Sequence, residues 1–247
     1  MHRDGQPIVN AWLSIPSAYA SEVACHTGVD AATVDCQHGM VGFADAIAMF
    51  QAIGTTDAVP MVRPSANDPA QIMRFLDAGA YGVICPMIST AAEAAQLVSA
   101  CRYPPAGTRS FGPARGALYG GPDYFDRANE EILVLAMIET REALTNLDAI
   151  LATPGLDGVY VGPNDLAIEL GHPPKSEHDH PDVTGAVERI RSAVVARGLL
   201  AGIFCSDGRA AQARLRQGFH LVTPGNDAAV FRAAYAGNVR QAREATR

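Results

Sequence analysis

The stretch "VPMVRPSANDPAQIMRFLDAGAYGVICPM", residues 59–87, holds two short apolar runs on either side of one helical pattern, and its reading decides the fold. The runs "VPMVRP" and "GVICPM" are rich in Val and Ile and are punctuated by Pro and Gly, as buried strands are. Between them Ile72, Phe75, Leu76 and Gly79 recur at helical spacing, with Asp68 as N-cap, Pro69 at the first helical position and Gly79 as the stop. Strand, helix, strand in this order predicts one βα unit of a parallel sheet.

The same alternation extends in both directions. "IVNAWLSI", "AATVDC", "ILVLAMIE", "GVYVGP", "LLAGIFC" and "HLVTPG" complete a set of eight strand candidates. "STAAEAAQLVSACR", "REALTNLDAILATPG" and "VTGAVERIRSAVVARG" read as helices between them. Eight such units predict a (β/α)8 TIM barrel, a fold of about 250 residues, and the chain has 247. No break in composition divides it, so residues 1–247 read as a single domain.

Composition narrows the function classes. Apolar residues make up 48% and charged residues 18%, a globular balance. A net charge of −7 without a Lys/Arg cluster argues against nucleic acid as a partner, because phosphate binding needs clustered cations. The longest apolar runs fall well short of the ~20 residues of a membrane helix, so no membrane partner is expected. Cys25, Cys36, Cys85, Cys101 and Cys205 form an odd set with no C-x-x-C pair, and "MHRDGQPIVN" is polar rather than leader-like. A cytoplasmic protein is the expectation.

Two stretches are too long for ordinary βα loops. "YPPAGTRSFGPARGALYGGPDYFDRAN" is either a wall of the site, if it lies on the face where strands end, or an oligomer contact. Its glycines match neither a P-loop nor a dinucleotide fingerprint. "GHPPKSEHDHPD" carries His172, His178 and His180 among Pro, Ser, Glu and Asp, which reads as a solvated segment rather than a metal cluster.

Several strand candidates end in chemistry-bearing side chains: Asp35 and His38 in "VDCQH", Arg63 in "MVRP", Glu139 in "AMIE", Asn164 and Asp165 in "VGPND". The C-terminal strand ends of a barrel converge on one mouth, so residues far apart in sequence can meet there. Glu139 and Asp165, on consecutive strands, suit a Mg²⁺ or Mn²⁺ site. The structural alternatives are a helix-dipole acid for Glu139 and an N-cap for Asp165. Arg63 offers a planar donor fork for an oxyanion or carboxylate, or a structural ion pair. His38 reads as base, ligand or buried imidazole. Asp35 orients the turn before it. Trp12, the single tryptophan, is core or pocket wall.

In combination, "VDCQHG", the 61–87 stretch, "YPPAGTRSFGPARGALYGG", "AMIETREALTNLDAI" and "GLDGVYVGPNDLAIELG" resemble the HpcH/HpaI family of metal-dependent class II pyruvate aldolases over essentially the whole chain. The resemblance implies a barrel whose C-terminal helix is exchanged between subunits of a homo-hexamer, a trimer of dimers. It implies one divalent ion per subunit, Mg²⁺, Mn²⁺ or Co²⁺. The substrates would be a 2-oxo acid, pyruvate or hydroxypyruvate, and an aldehyde, joined or released as a 4-hydroxy-2-oxo acid. By the same resemblance Glu139 and Asp165 hold the metal, Arg63 stabilises the enolate, His38 transfers the proton, and Asp35 belongs to the same motif. Asp77 pairs with the histidine across a subunit boundary. Gly162, Pro163, Asn164 and Asp165 hold the substrate carboxylate, with Trp12 beside it. Two positions depart from many relatives: Gln37, where an acid precedes the motif histidine, and Met137, where Gln stands two places before the metal glutamate.

A lysine Schiff base, the rival route to aldol chemistry, needs a desolvated amine. The only lysine, Lys175, lies in a polar loop. Two further readings are a CoA-ester lyase akin to the citrate lyase β-subunit, marked by a basic nucleotide surface, and a non-catalytic metal-binding barrel.

Overall fold

The structure is a computed structural model and describes residues 6–244. The first five residues of the polar N-terminal stretch lie outside the described residues. Eight strands form the sheet: β1 (Ile8–Leu13), β2 (Ala31–Asp35), β3 (Val59–Arg63), β4 (Gly82–Cys85), β5 (Leu133–Ile138), β6 (Gly158–Val161), β7 (Leu200–Cys205) and β8 (Leu221–Pro224). All pair in parallel with their sequence neighbours, and β8 closes on β1 through Ile8↔Leu221. These are the eight apolar runs of the sequence.

The helices are α1 (Ala18–Cys25), α2 (Phe43–Ile53), α3 (Pro69–Asp77), α4 (Ala91–Cys101), α5 (Ala114–Gly120), α6 (Tyr124–Glu131), α7 (Arg141–Thr145), α8 (Leu147–Leu151), α9 (Pro163–Glu169), α10 (Pro181–Val195), α11 (Gly208–Arg216) and α12 (Asp227–Glu244). α3 follows its sequence signals. The Asp68 side chain accepts from Ala70 N, Pro69 opens the helix, and Gly79 takes φ +108°, where only glycine is unstrained. Ile72, Phe75 and Leu76 are buried against the barrel, and truncating Phe75 to Ala would cost about 3–5 kcal/mol.

"REALTNLDAILATPG" is not one helix. It breaks into α7 and α8 at Asn146, whose φ/ψ of −94°/9° leaves the helical region while its side chain donates to Ser89 O. That side chain competes with the helix for backbone groups.

Side chains alternate between two cores, as the period of two requires. Val34, Val62, Val83, Ile138 and Val161 point outward to the helices, whereas Trp12, Met61, Leu135, Met137, Tyr160 and Leu221 fill the barrel. Beneath the mouth runs a buried polar layer: Thr33 donates to Asn10 Oδ1 at 2.9 Å, and both Asn10 and Tyr160 donate to Thr223 Oγ1, at 3.0 and 2.7 Å. Every member finds a partner, so this layer fixes the strand ends without orphaned groups.

The first long stretch does not wall the mouth of its own barrel. It follows α4 and precedes β5, which places it at the N-terminal ends of the strands, folded into α5 and α6. There Arg115 donates to Ala78 O, and Tyr119 and Tyr124 pack on Tyr81. The second long stretch lies near the other face, where Ser206 N, just beyond β7, donates to Glu177.

At the C-terminus, the Asp227 carboxylate accepts from Ser14 N, Ser14 Oγ and Ile15 N at 2.9, 2.6 and 3.0 Å. This anchors the start of α12 beside β1. α12 itself buries none of its residues, and Val230, Phe231, Tyr235 and Val239 are exposed.

Candidate active site

A cavity of about 250 Å³ opens at the C-terminal ends of the strands, lined by residues that include Trp12, Asp35, His38, Arg63, Met137, Asn164 and Asp165. Sequence position explains the convergence. Asp35 and Arg63 are the last residues of β2 and β3 and lie in register, and Glu139 directly follows β5. The period of two turns all three inward.

Arg63 and Asp35 form a fork. Arg63 Nε donates to Asp35 Oδ1 at 2.8 Å and Nη2 donates to Oδ2 at 2.6 Å, with both side chains buried. Trp12 Nε1 adds a bond to Oδ2 at 3.1 Å, and its ring lies 4.7 Å from the guanidinium carbon. Trp12 also stacks on Tyr160, so it is core and pocket wall at once. The backbone N–H groups of Gln37 and His38 donate to Asp35 Oδ1. Burial works against ionisation of Asp35; the Arg63 guanidinium, the His38 amide and the Trp12 indole outweigh it and hold its pKa below the ordinary carboxylate value.

His38 is exposed and lines the cavity, held to Asp35 through its backbone rather than its ring. The imidazole is therefore not a buried structural one. Gln37 shows the reverse: its Oε1 is buried without a partner.

Glu139 is buried at 2% exposure. Its Oε1 accepts from Met87 N at 2.8 Å, and Met87 holds φ +57°, a left-handed conformation unusual for a residue with a side chain. Oε2 borders Gly162, where any Cβ would overlap it. Burial first, and the charge of Asp165 second, push the Glu139 pKa up to about 7. Neither acid is a helix N-cap. Thr140, not Glu139, caps α7, and Asp165 lies within the first turn of α9, whose N-cap position is Gly162.

The donor set fits a hard dication. Two carboxylates act on one another, with the Arg63 guanidinium only partly offsetting their repulsion at Glu139, and open solvent on the Asp165 side leaves room for water or substrate oxygens. Met137, buried at the cavity wall next to Gly162, adds no polar atom to that surface.

Asp77 does not reach this mouth. It ends α3 at the opposite face and pairs with buried Arg109 at 2.8 Å. Sequence reasoning missed Ser14, Tyr160, Phe204 and Asn226, which also line the cavity. Ser14 and Asn226 lie just past β1 and β8, so the strand-end rule could have found them; Tyr160 and Phe204 are aromatic residues within strands and carry no such signal.

Other nucleophiles are poorly placed. Lys175 is exposed and lies 3.8 Å from Asp179, outside the cavity lining. Burial pushes the thiols of Cys36, Cys101 and Cys205 up to about 12 and Cys25 to about 11, so none of these is a thiolate near neutrality.

Comparison with known proteins identifies relatives of the chain. The chain is 44% identical over 231 residues to the hydroxypyruvate/pyruvate aldolase of Rhizorhabdus wittichii, covering 94% of this chain and 92% of that protein. It is 37% identical over 246 residues to a 4-hydroxy-2-oxo-heptane-1,7-dioate aldolase of Escherichia coli, covering 98% and 93%. Among solved structures, an HpcH/HpaI aldolase/citrate lyase family protein from Burkholderia cenocepacia superposes with a TM-score of 0.90 at 33% identity, over 96% of this chain and 95% of that one. With residues 9–234 matching the HpcH/HpaI aldolase/citrate lyase family, the chain belongs to that family.

Proposed function

We propose that this enzyme is a metal-dependent aldolase that reversibly cleaves 4-hydroxy-2-oxo acids to pyruvate or hydroxypyruvate and an aldehyde. The observation that carries this reading is the meeting of Glu139, Asp165 and the Arg63–Asp35 fork at one barrel mouth in a chain of this family. Glu139 and Asp165 would hold one divalent ion, Mg²⁺, Mn²⁺ or Co²⁺, which would supply Lewis acidity toward the 2-oxo acid.

The chain's own residues supply the rest. In cleavage, His38 takes the proton of the C4 hydroxyl, the C3–C4 bond breaks, and the aldehyde leaves. The electron pair of that bond passes into the enolate of the 2-oxo acid, which is then protonated at C3. Arg63 faces the oxygen on which negative charge grows, and Asp35 keeps the guanidinium in plane and aimed. The first-turn amides of Asn164 and Asp165 suit the substrate carboxylate, while Trp12 closes the wall. Asp77, remote from its own mouth, would act only at a neighbouring subunit.

The exposed apolar face of α12 supports a homo-oligomer, and the family resemblance implies a hexamer in which this helix is exchanged. No described helix is long and apolar enough to cross a membrane. The citrate lyase branch of the family is the weaker reading, because both curated relatives above carry aldolase names.

The test is a screen of pyruvate and hydroxypyruvate against several aldehydes, with and without chelator. Carbon–carbon bond formation that stops on metal removal, returns with Mg²⁺, Mn²⁺ or Co²⁺ and resists borohydride is expected. Activity surviving thorough metal removal would overturn the mechanism.

A further inference from the structure

The loop between α9 and α10 folds its histidines into an arrangement that the barrel chemistry does not use. His178 is consumed locally: its Nδ1 lies 3.2 Å from His180 N, and its Nε2 faces Pro173 O at 3.3 Å. His172 and His180 converge on Asp182, and His180 Nδ1 also accepts from Asp182 N at 3.3 Å as the cap of α10. His172 Nε2 lies 3.2 Å from Asp182 Oδ2, His180 Nδ1 lies 3.6 Å from the same oxygen, and the two rings overlap with centroids 3.8 Å apart. One ligand atom from each of the three residues lies within 4.8 Å of the others.

The segment that carries them is pinned at several points. His172 N bonds Ala167 O at the end of α9, and His180 caps α10. Between them Glu177 accepts from Arg214 at 3.0 Å and from Ser206 N at 3.2 Å. The three side chains are thus brought together by two helix ends and a fastened loop, rather than by chance on a mobile tail. Asp182 and His180 remain open to solvent, which leaves an entry path and a free coordination position.

We propose that His172, His180 and Asp182 form a second metal site, selective for a borderline transition-metal dication such as Zn²⁺. Two imidazoles and one carboxylate are the donors such ions prefer, whereas Mg²⁺ prefers oxygen alone. Ions bound about 2.0–2.2 Å from each ligand in tetrahedral geometry set ligand atoms roughly 3.3–3.5 Å apart. The 3.2 Å between His172 Nε2 and Asp182 Oδ2 lies close to that spacing, and an ion taken up by His180 Nδ1, 3.6 Å from the same oxygen, would displace the bond from Asp182 N. A bound ion would staple the ends of α9 and α10. It would also stiffen the loop whose Ser176 donates to Asn164 Oδ1, at the rim of the mouth.

The test is calorimetric titration of Zn²⁺ into the metal-stripped full-length chain bearing Glu139→Ala and Asp165→Ala, so that the barrel pair contributes nothing. One equivalent of Zn²⁺ is expected, undiminished by excess Mg²⁺. His172→Ala, His180→Ala and Asp182→Asn should each weaken it at least about tenfold. His26→Ala, which alters an exposed histidine elsewhere, should leave it unchanged. Circular dichroism of each variant checks that it remains folded. No Zn²⁺ equivalent, or one that persists in the loop variants or disappears with His26→Ala, overturns the proposal. The readout is binding alone, so the outcome stands apart from the proposed aldolase activity.

Discussion

Arg63 and Asp35 are joined by two parallel hydrogen bonds, Nε to Oδ1 at 2.8 Å and Nη2 to Oδ2 at 2.6 Å, in a place almost closed to solvent. The pair makes the guanidinium a rigid element of the mouth. A lysine keeps the charge but has no fork with which to hold the carboxylate in plane. Arg63→Lys should therefore lower kcat/KM by about 10²-fold or more, with most of the loss in kcat, as for removal of an oxyanion donor. Steady-state kinetics with the best substrate of the screen measures this, and near wild-type turnover would remove Arg63 from the mechanism.

The same pair predicts an acid limb of stability. The folded Asp35 pKa lies below its unfolded value near 3.9, so its contribution is complete above that pH. It declines as pH falls through the depressed folded value, where the carboxylate takes up its proton. Urea midpoints between pH 5 and pH 2 should drop more steeply in the wild type than in Asp35→Asn. The variant itself should lose about 3–5 kcal/mol at pH 7, because it leaves the Arg63 charge buried without its counterion. Parallel pH profiles would show that Asp35 does not carry this dependence.

Glu139 predicts the opposite sign. Its folded pKa of about 7 lies above the unfolded value, so in the metal-stripped protein the ionised form is penalised at high pH. The penalty is absent below the unfolded pKa and complete above the folded one, and is on the order of 3 kcal/mol. Glu139→Gln should consequently raise the melting temperature of the stripped protein at pH 8 while abolishing binding of Mn²⁺ or Mg²⁺. Calorimetry on both proteins after chelator treatment decides it; a less stable Gln variant would contradict the assignment of the shift to the charge.

Gly162 tests how closely the Glu139 carboxylate is cradled. A Cβ there overlaps Oε2, so Gly162→Ala must displace the carboxylate or the β6 end. The expected result is a folded protein with metal affinity reduced about 10- to 100-fold, the range seen when the support of a ligand is disturbed. Unaltered affinity would mean that Oε2 is free to leave this position.

The uncovered face of α12 predicts an assembly defect. Phe231 and Tyr235 pack on each other at 4.8 Å on a helix that buries none of its own residues. Replacing both with Asp should shift light-scattering mass toward the monomer without unfolding the barrel, since neither side chain is part of its core. An unchanged mass would leave the helix without a role in assembly.

The sequence made the barrel legible because strand and helix periods are local. Each of the eight apolar runs became a strand, and Asp68, Pro69 and Gly79 bound α3 as their chemistry requires. It also led to Arg63, Glu139 and Asp165, because a polar residue at the end of an apolar run or shortly beyond it marks a strand end. It did not separate the two roles of Trp12, and it left the long stretch before β5 between two faces. Whether a connection lies above or below a barrel depends on which element it follows, and that stretch follows a helix, so it packs beneath the strands.

What the sequence by itself determined is the order of the elements and which side chains lie at strand ends. Those properties follow from backbone periodicity and from the special conformations of Pro and Gly. Only the tertiary structure decided that Asp35 holds Arg63 rather than the His38 ring, that Asp77 pairs with Arg109 on the far face, and that His172 and His180 meet at Asp182 while His178 does not. These pairings join residues whose separation in space is set by closure of the sheet and by the packing of helix ends. No local rule encodes that separation, because the same hydrogen-bonding side chain accepts whichever partner the fold brings within about 3 Å.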